Sequence, residues 1–398
     1  MKVLHVIPSY EPAWAFGGTV TATSNLCRAL AKKGIDVTVY TTDADGKGGY
    51  LDVPLNEPLD LGGVKVWYFH CDLLPKDAFY SRGLAKKLKE TVKDFDIVHV
   101  SAIWQWIQVN VYKACKNLNK PYIVTAHGSF NPWPWKQKIF KKRIYWHLFG
   151  KRTIESSNAI HFTSDEERLK SFDNIKLLKR KESFVIPNGV DITIKRKNTD
   201  IRGDLKIDKK AFLLLFIGRI NKIKGIELVI QALKLVKDKN FIFLIVGPKE
   251  DKKYYDFLVS ISTPIKDRII FHPEIPKDKT SDFYLSSDLL ILPSYDENFG
   301  YTVVEAMACG TPVLISRNVC IWREVEEDRA GFIVNQNPVE IAKIIKKCIE
   351  NPKLLKELSI NARKSAEKRY DINKVADLMI KAYEDVLTGR RSPELKWK

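Results

Sequence analysis

Residues 297–305 read ENFGYTVVE, two glutamates eight apart with Phe299-Gly300 between them. They directly follow the apolar run Leu289–Leu292 and Pro293. The pattern predicts a buried strand, a short polar loop, and a helix starting near Val303. In an open parallel sheet, the carboxyl end of a strand leading into a helix N-terminus is where ligands bind. Amides near Gly300, Tyr301 and Thr302 would offer an anion site. Glu297 and Glu305 beside them can accept hydrogen bonds from hydroxyls. A phosphate joined to a polyol describes a sugar nucleotide.

Three other stretches offer chemistry. In FIGRINKIKG (216–225), Arg219 and Lys224 follow a buried run and precede a helical pattern over Ile226–Val236. Two cations at a strand end suit a pyrophosphate, arginine gripping two oxygens and lysine supplying a point charge. Solvated loop charge is the plainer alternative in so basic a chain. Gly17-Gly18 stand just after the first strand, before a Thr/Ser-rich helix start. They would let backbone come close to a phosphate, although a simple flexible turn has the same appearance. His127, in TAHGSF, follows a strand and could be an acid, a base or a hydrogen-bond donor. A histidine satisfied by backbone is the competing reading.

The elements that must position these residues alternate strand and helix. In the first half, apolar runs fall at Val3–Ile7, Val37–Thr41, Val64–Phe69, Ile97–Val100, Tyr122–Ala126, Ile160–Thr163 and Phe184–Ile186. Helical patterns, such as Thr21–Lys33 and Leu84–Lys93, lie between them. The second half repeats the scheme at Phe212–Ile217, Phe241–Val246, Ile269–Phe271, Leu289–Leu292 and Pro312–Ile315. This predicts parallel sheets covered on both faces. The polar stretch Ile192–Lys210 reads as a linker, and Ile372–Leu387 as an amphipathic helix. The expected organisation is α/β: a Rossmann-like domain over 1–195, a second over 196–371, and a C-terminal segment, 372–398, packing back on the first with a flexible tail. The two doubly wound domains are expected to face each other across a cleft.

The 398 residues are too many for one ordinary core. No apolar run reaches the roughly 20 residues that span a bilayer, and the N-terminus reads as a strand, not a leader. A cytoplasmic protein is therefore expected. Six scattered cysteines without a CxxC pair read as reduced thiols. The net charge of +18 predicts attraction to an anionic partner or, alternatively, a lysine-rich soluble surface. Residues 133–152, WPWKQKIFKKRIYWHLFGKR, mix aromatics with cations. A helix of that composition can lie on an anionic membrane, and an ordinary packed helix with a basic outer face is the alternative. No nucleic-acid recognition pattern accompanies the charge.

Taken in order, Gly17-Gly18, His127-Gly128, Pro187-Asn188-Gly189-Val190-Asp191, Gly218-Arg219, Lys224-Gly225, the Glu297/Glu305 pair with Phe299-Gly300, and Gly310-Thr311-Pro312-Val313 resemble the retaining glycosyltransferases of family 4, the "group 1" set with the GT-B fold. The resemblance spans nearly the whole chain. It implies that Arg219 and Lys224 bind the donor diphosphate, helped by amides at Gly300–Thr302 and at Gly17-Gly18. Glu305 would hold the ribose, Glu297 the sugar hydroxyls, and His127 would lie near the anomeric centre or the sugar's C6 side. The base would lie near Val246-Gly247-Pro248 and Glu274-Ile275. No metal or other cofactor is expected, the nucleotide-sugar (a UDP-sugar first) being a substrate. The implied acceptor is lipid-linked or an oligosaccharide, the anomeric configuration is kept, and surface polysaccharide or glycoconjugate synthesis is the expected setting. A 2-epimerase of nucleotide sugars and a non-catalytic relative share the architecture. One departure stands out. Where relatives carry paired glycines, this chain has Ser316-Arg317-Asn318-Val319-Cys320-Ile321-Trp322-Arg323-Glu324, a bulkier loop that bears on sugar identity.

Overall fold

The computed structural model describes the chain apart from residues 47, 73–78, 102, 137–138, 194–199 and 238–239. Two compact units result, one of Met1–Gly189 with Ile372–Lys398 and one of Val190–Asp371.

In the first unit the strands are β1 (Lys2–Ser9), β2 (Asp36–Thr42), β3 (Pro58–Asp60), β4 (Lys65–Phe69), β5 (Ile97–Ser101), β6 (Tyr122–Thr125), β7 (Ala159–Phe162) and β8 (Ser183–Val185). Their order is β3-β4-β2-β1-β5-β6-β7-β8. All neighbours run parallel except β3 against β4. β1, β2, β5, β6 and β7 are buried at nearly every position, because hydrophobic layers cover both faces of the sheet. The helix Ile372–Thr388 belongs here. It buries Val375, Ala376, Met379, Ala382 and Tyr383 in the layer that also holds Cys27 and Leu30 of the helix Gly18–Lys32.

The tail expected to be loose is held instead. Ser183 and Lys398 exchange backbone hydrogen bonds of 2.7 and 2.8 Å. Leu395 is buried and Trp397 lies against Phe184 at 5.0 Å. Two apolar side chains in an otherwise polar stretch suffice to fasten it.

The second unit contains β9 (Phe212–Ile217), β10 (Phe241–Val246), β11 (Ile269–His272), β12 (Leu289–Leu292), β13 (Val313–Ser316) and β14 (Gly331–Val334). They form one sheet, β11-β10-β9-β12-β13-β14, parallel throughout. The stretch read as a linker is not one in its described part. Ile201 and Ile207 are core residues of this unit. Arg202 binds Asp288 at 2.8 Å and the carbonyls of Ser286 and Ala211 at 3.0 and 2.8 Å. A few isoleucines among charges fix the segment, and residues 194–199 lie outside the described residues. Among the described residues no helix is long and apolar enough to cross a membrane. None of the six cysteines is in a disulfide, and five of them are buried.

Candidate active site

In the second unit the strand order reverses at β9: β10 lies on one side and β12 on the other. The crevice beside such a switch point is the expected ligand position. The loops leaving β9 and β12 bracket it. Leu214 and Leu215 pair with Leu289 and Leu290, so both loops emerge on one edge. The amide of Tyr295 donates to the carbonyl of Ile223 at 2.8 Å and stitches them together.

Lys224 sits at the end of the first loop, and Gly225 turns the chain into the helix Ile226–Leu235. Gly225 is left-handed (φ 67°), and a Cβ there would stand 2.5 Å from the Pro293 carbonyl oxygen. Only glycine lets the two loops approach so closely. The approach brings the Lys224 ammonium into an ion pair with the Glu297 carboxylate, the two side chains 15% and 19% exposed. Glu297 is held in turn by the segment that departs from the family pattern. Its amide donates to Asn318 O at 3.2 Å, and Cys320 N donates to its carbonyl at 3.0 Å. Val319, Cys320 and Ile321 are buried. Part of the bulk expected to crowd the sugar is thus tucked into the core behind Glu297. The guanidinium groups of Arg317 and Arg323 lie over the Trp322 ring at 4.6 and 4.3 Å.

Gly300, left-handed at φ 73°, opens the helix Tyr301–Ala308. The first amides of a helix have no intrahelical acceptor, and the dipole there favours an anion. Gly300, Tyr301 and Thr302 thus follow Glu297 closely in sequence, at the end of the loop that carries it. Phe299 is 4% exposed and packs edge-on against Tyr370 at 5.8 Å, so its side chain serves the core. Glu305, further along the helix, is half-buried and accepts a hydrogen bond from Tyr284 at 2.9 Å. Burial pushes its pKa up, and the Tyr284 hydroxyl and the Lys277 charge pull it back.

Arg219 is more exposed. It pairs with Glu250 at 2.6 Å, and Asn221 donates to the same carboxylate. Gly247 follows β10, its amide donating to His272 O at 3.2 Å. The exposed Pro248 lends its carbonyl to Ile220 N at 2.9 Å. Ile275 is half-buried against the core. Glu250 and Tyr284 were missed by sequence reasoning. Each lies on a segment without its own motif and gains meaning only from the side chain that it touches.

In the first unit the switch point lies between β1 and β5. Gly17 (φ 75°) and the exposed Gly18 start the helix after β1. A side chain at Gly17 would meet nothing within 4 Å, so its backbone is open to a ligand. His127 follows β6 in a left-handed conformation (φ 47°). The buried carboxylate of Glu167 fixes this corner, accepting from Gly128 N at 2.6 Å and from the Thr163 amide and hydroxyl at 2.6 and 2.7 Å. Burial, then the charge of His161, lowers the His127 pKa to about 3. Its imidazole is neutral near pH 7, and its Nε2 is closed off from solvent without a hydrogen-bond partner among the described residues. It can give or take a hydrogen bond but does not hold a spare proton as an imidazolium acid.

Two family models match the chain almost end to end: "Glycosyltransferase Family 4" over residues 16–194 and "Glycosyl transferases group 1" over 197–365. Similar solved structures include sucrose-phosphate synthase from Thermosynechococcus elongatus, with a TM-score of 0.78, 20% identity, and 98% of this chain and 100% of that one covered. Another is HepE from Anabaena in complex with UDP and glucose, with a TM-score of 0.76, 20% identity, and 97% and 100% covered. The chain is a glycosyltransferase of the GT-B type. Among curated relatives, this glycosyltransferase is 23% identical to an uncharacterized glycosyltransferase of Methanocaldococcus jannaschii, over 96% of its own length and 98% of the relative's. It is 23% identical to a D-inositol 3-phosphate glycosyltransferase of Xylanimonas cellulosilytica, over 98% and 97%.

The basic aromatic stretch divides in two. Tyr145, Trp146 and Trp135 pack around Trp104, with ring centroids 5.0–6.0 Å from it, and Lys142 also turns inward over that ring. Phe140, Ile144 and Leu148 face outward at 78%, 61% and 54% exposure. Lys141, Arg143, Lys151 and Arg152 beside them are exposed too. Residues 137–138 are outside the described residues.

Proposed function

We propose that this glycosyltransferase moves a hexosyl-type sugar from a nucleoside-diphosphate donor, a UDP-sugar first, to a hydroxyl of a lipid-linked or oligosaccharide acceptor. The anomeric configuration is retained. The observation that carries the reading is the contact of Lys224 with Glu297 on loops that bracket the second unit's switch point, next to the helix start at Gly300. Donor binding would turn Lys224 to the diphosphate and free Glu297 to orient sugar hydroxyls. Arg219 would grip the same diphosphate, Glu305 the ribose, and the backbone around Gly247, Pro248 and Ile275 the base. Gly17-Gly18 would add amides, and His127, neutral, a hydrogen bond near the sugar. The acceptor oxygen attacks the anomeric carbon from the face that the diphosphate leaves, and the departing phosphate oxygen takes the acceptor's proton. Cations and helix amides would stabilise that oxygen as charge develops, without a bound metal. The crystallised complexes of HepE with UDP and UDP-glucose lend support to the donor.

The test is thermal unfolding with UDP, GDP and ADP, in EDTA. A nucleotide at about 100 times its Kd should stabilise the native state by ~2.7 kcal/mol. UDP is expected to give the largest rise in Tm. No rise with any of the three would overturn the donor reading. A 2-epimerase would convert the donor without any acceptor, which product analysis after incubation with the UDP-sugar alone separates.

We further propose that the enzyme works peripherally at the cytoplasmic face of a membrane, in surface polysaccharide or glycoconjugate synthesis. Support comes from the outward ridge of Phe140, Ile144 and Leu148, flanked by exposed cations on a stretch, 133–152, without an acidic residue. The full chain should sediment with phosphatidylcholine vesicles carrying 30% phosphatidylglycerol, and less with phosphatidylcholine alone. The triple change F140S/I144S/L148S should release it. Equal partitioning of the triple variant and the wild type would remove the proposal.

A further inference from the structure

Asp43 and His70 stand at the same edge of the first unit's sheet, one residue beyond β2 and β4, whose last residues Thr42 and Phe69 are paired. The Asp43 side chain is 4% exposed, the His70 side chain 52%. One Asp43 oxygen accepts from the Cys71 amide at 2.8 Å, and the other lies 2.9 Å from His70 Nδ1. An ionised carboxylate only accepts, so Nδ1 carries the proton, and in the neutral tautomer Nε2 holds the lone pair. Among the described residues Nε2 makes no hydrogen bond. Residues 44 and 50 pair across a short hairpin that brings Tyr50 back against this imidazole, ring centroids 4.8 Å apart and tilted by 38°. Tyr50 is itself 47% exposed. At Gly46 a Cβ would lie 3.0 Å from Phe16, so the hairpin adjoins the segment leading to Gly17.

A buried carboxylate that fixes the tautomer and direction of an exposed imidazole is how histidines are aimed at ligands. A simple tie between two strand ends needs neither the outward nitrogen nor the aromatic ring on it. We propose that His70 and Tyr50, aimed by Asp43, hold the acceptor: an uncharged, hydroxylated ring of sugar or cyclitol type. One hydroxyl donates to Nε2, and the ring's C–H face lies on the exposed aromatic surface. Asp43 is a positioning residue. The inference rests on the reading that the donor belongs to the second unit, and it gives the first unit its acceptor contact.

The experiment is saturation-transfer NMR on the full chain with methyl α-D-glucopyranoside, methyl α-D-mannopyranoside and myo-inositol, alongside the UDP-induced rise in Tm. At least one neutral ring should bind the wild type in the millimolar range. His70→Ala and Tyr50→Ala should each weaken it about 10-fold, the loss of one good contact. His70→Gln, which keeps an acceptor atom, should recover most of the affinity. Asp43→Asn should resemble His70→Ala, because an amide can turn the ring to its other tautomer. The UDP shift should be unchanged in all four variants, which also shows that they fold. Failure of all three rings to bind, undiminished binding in His70→Ala, or binding of inorganic phosphate in their place overturns the inference. If the UDP shift persists in the wild type, that failure leaves the donor reading standing.

Discussion

Lys224→Ala is expected to lower turnover by on the order of 10²–10³-fold, the usual effect of removing one fixed group that meets charge developing in the transition state. The ammonium is 15% exposed and sits where two loops converge, so little water stands ready to replace it. In the proposed reaction its contact with the diphosphate would strengthen as the glycosidic bond breaks. The fall should therefore appear mainly in kcat, with a smaller rise in KM for the donor. Lys224→Arg should recover little, because a planar fork cannot occupy the point-charge position against Glu297. Arg219 offers the contrast. It is half exposed, its partner Glu250 is 41% exposed, and its removal should cost less. The folded state should survive Lys224→Ala, since Glu297 keeps two backbone hydrogen bonds through Asn318 and Cys320. Measurement of initial rates with the best-binding nucleotide's glucose conjugate and any active acceptor checks this. Turnover within threefold of the wild type would remove Lys224 from the chemistry.

Much of this site could be read before folding because its parts are local. Apolar runs at Phe212–Ile217 and Leu289–Leu292 announce buried strands, and the glycines and charges after them announce loops. What sequence does not encode locally is partner choice. Nothing in PKED (248–251) marks Glu250 for Arg219, and nothing in the helix Thr280–Ser286 marks Tyr284 for Glu305. Short edge elements also escape. β3 is three residues of mixed polarity and antiparallel, and β14 begins with a glycine, so neither carries a period. The supposed linker and tail were misread for one reason: isolated apolar residues such as Ile201, Ile207, Leu395 and Trp397 find cores supplied by distant segments. In 133–152 composition alone could not divide inward Trp146 from outward Phe140. The dyad of Asp43 and His70 was invisible for the same reason as Glu250, since its two halves lie on strands paired only in three dimensions.

Mild acid should unfold the first unit well before the second. A chain of directed hydrogen bonds runs through the first unit's core. The Ile186 carbonyl accepts from His161 Nε2–H at 2.7 Å, which makes His161 Nδ1 the acceptor for the Thr125 hydroxyl at 2.8 Å. Thr125 Oγ1 then accepts from His99 Nε2–H at 2.6 Å, and His99 Nδ1 accepts from Tyr383 at 2.8 Å. The Tyr383 oxygen accepts from His5 Nε2–H at 3.1 Å. One carbonyl thus sets every tautomer, and a helix from the far end of the chain closes the relay. An added proton on His99 or His161 would set a donor against a donor. Burial, above all, lowers the pKa of His5 to about 3 and of His161 to about 4, and pushes His99 well below the ordinary value. His127 joins them at about 3. Unfolded histidines titrate near 6.5, so below that pH the unfolded chain binds more protons than the folded one. Stability is then full above about pH 6.5 and is lost as pH falls toward 4. Each such histidine removes roughly 1.4 kcal/mol per pH unit once well below 6.5, and four act together. The second unit has a single histidine, His272. Of the nine tryptophans, only Trp322 is in the second unit, so tryptophan fluorescence reports the first. Its urea midpoint should drop steeply between pH 7.5 and 5, while amide exchange in β9, β12 and β13 changes less. Tyr383→Phe should lower the midpoint at pH 7.5 as well, through a stability loss of about 1–3 kcal/mol, because His99 Nδ1 is left buried without a donor. An unchanged fluorescence midpoint across that range would mean that the relay tolerates protons, and the neutral tautomers derived from the Ile186 carbonyl would be wrong.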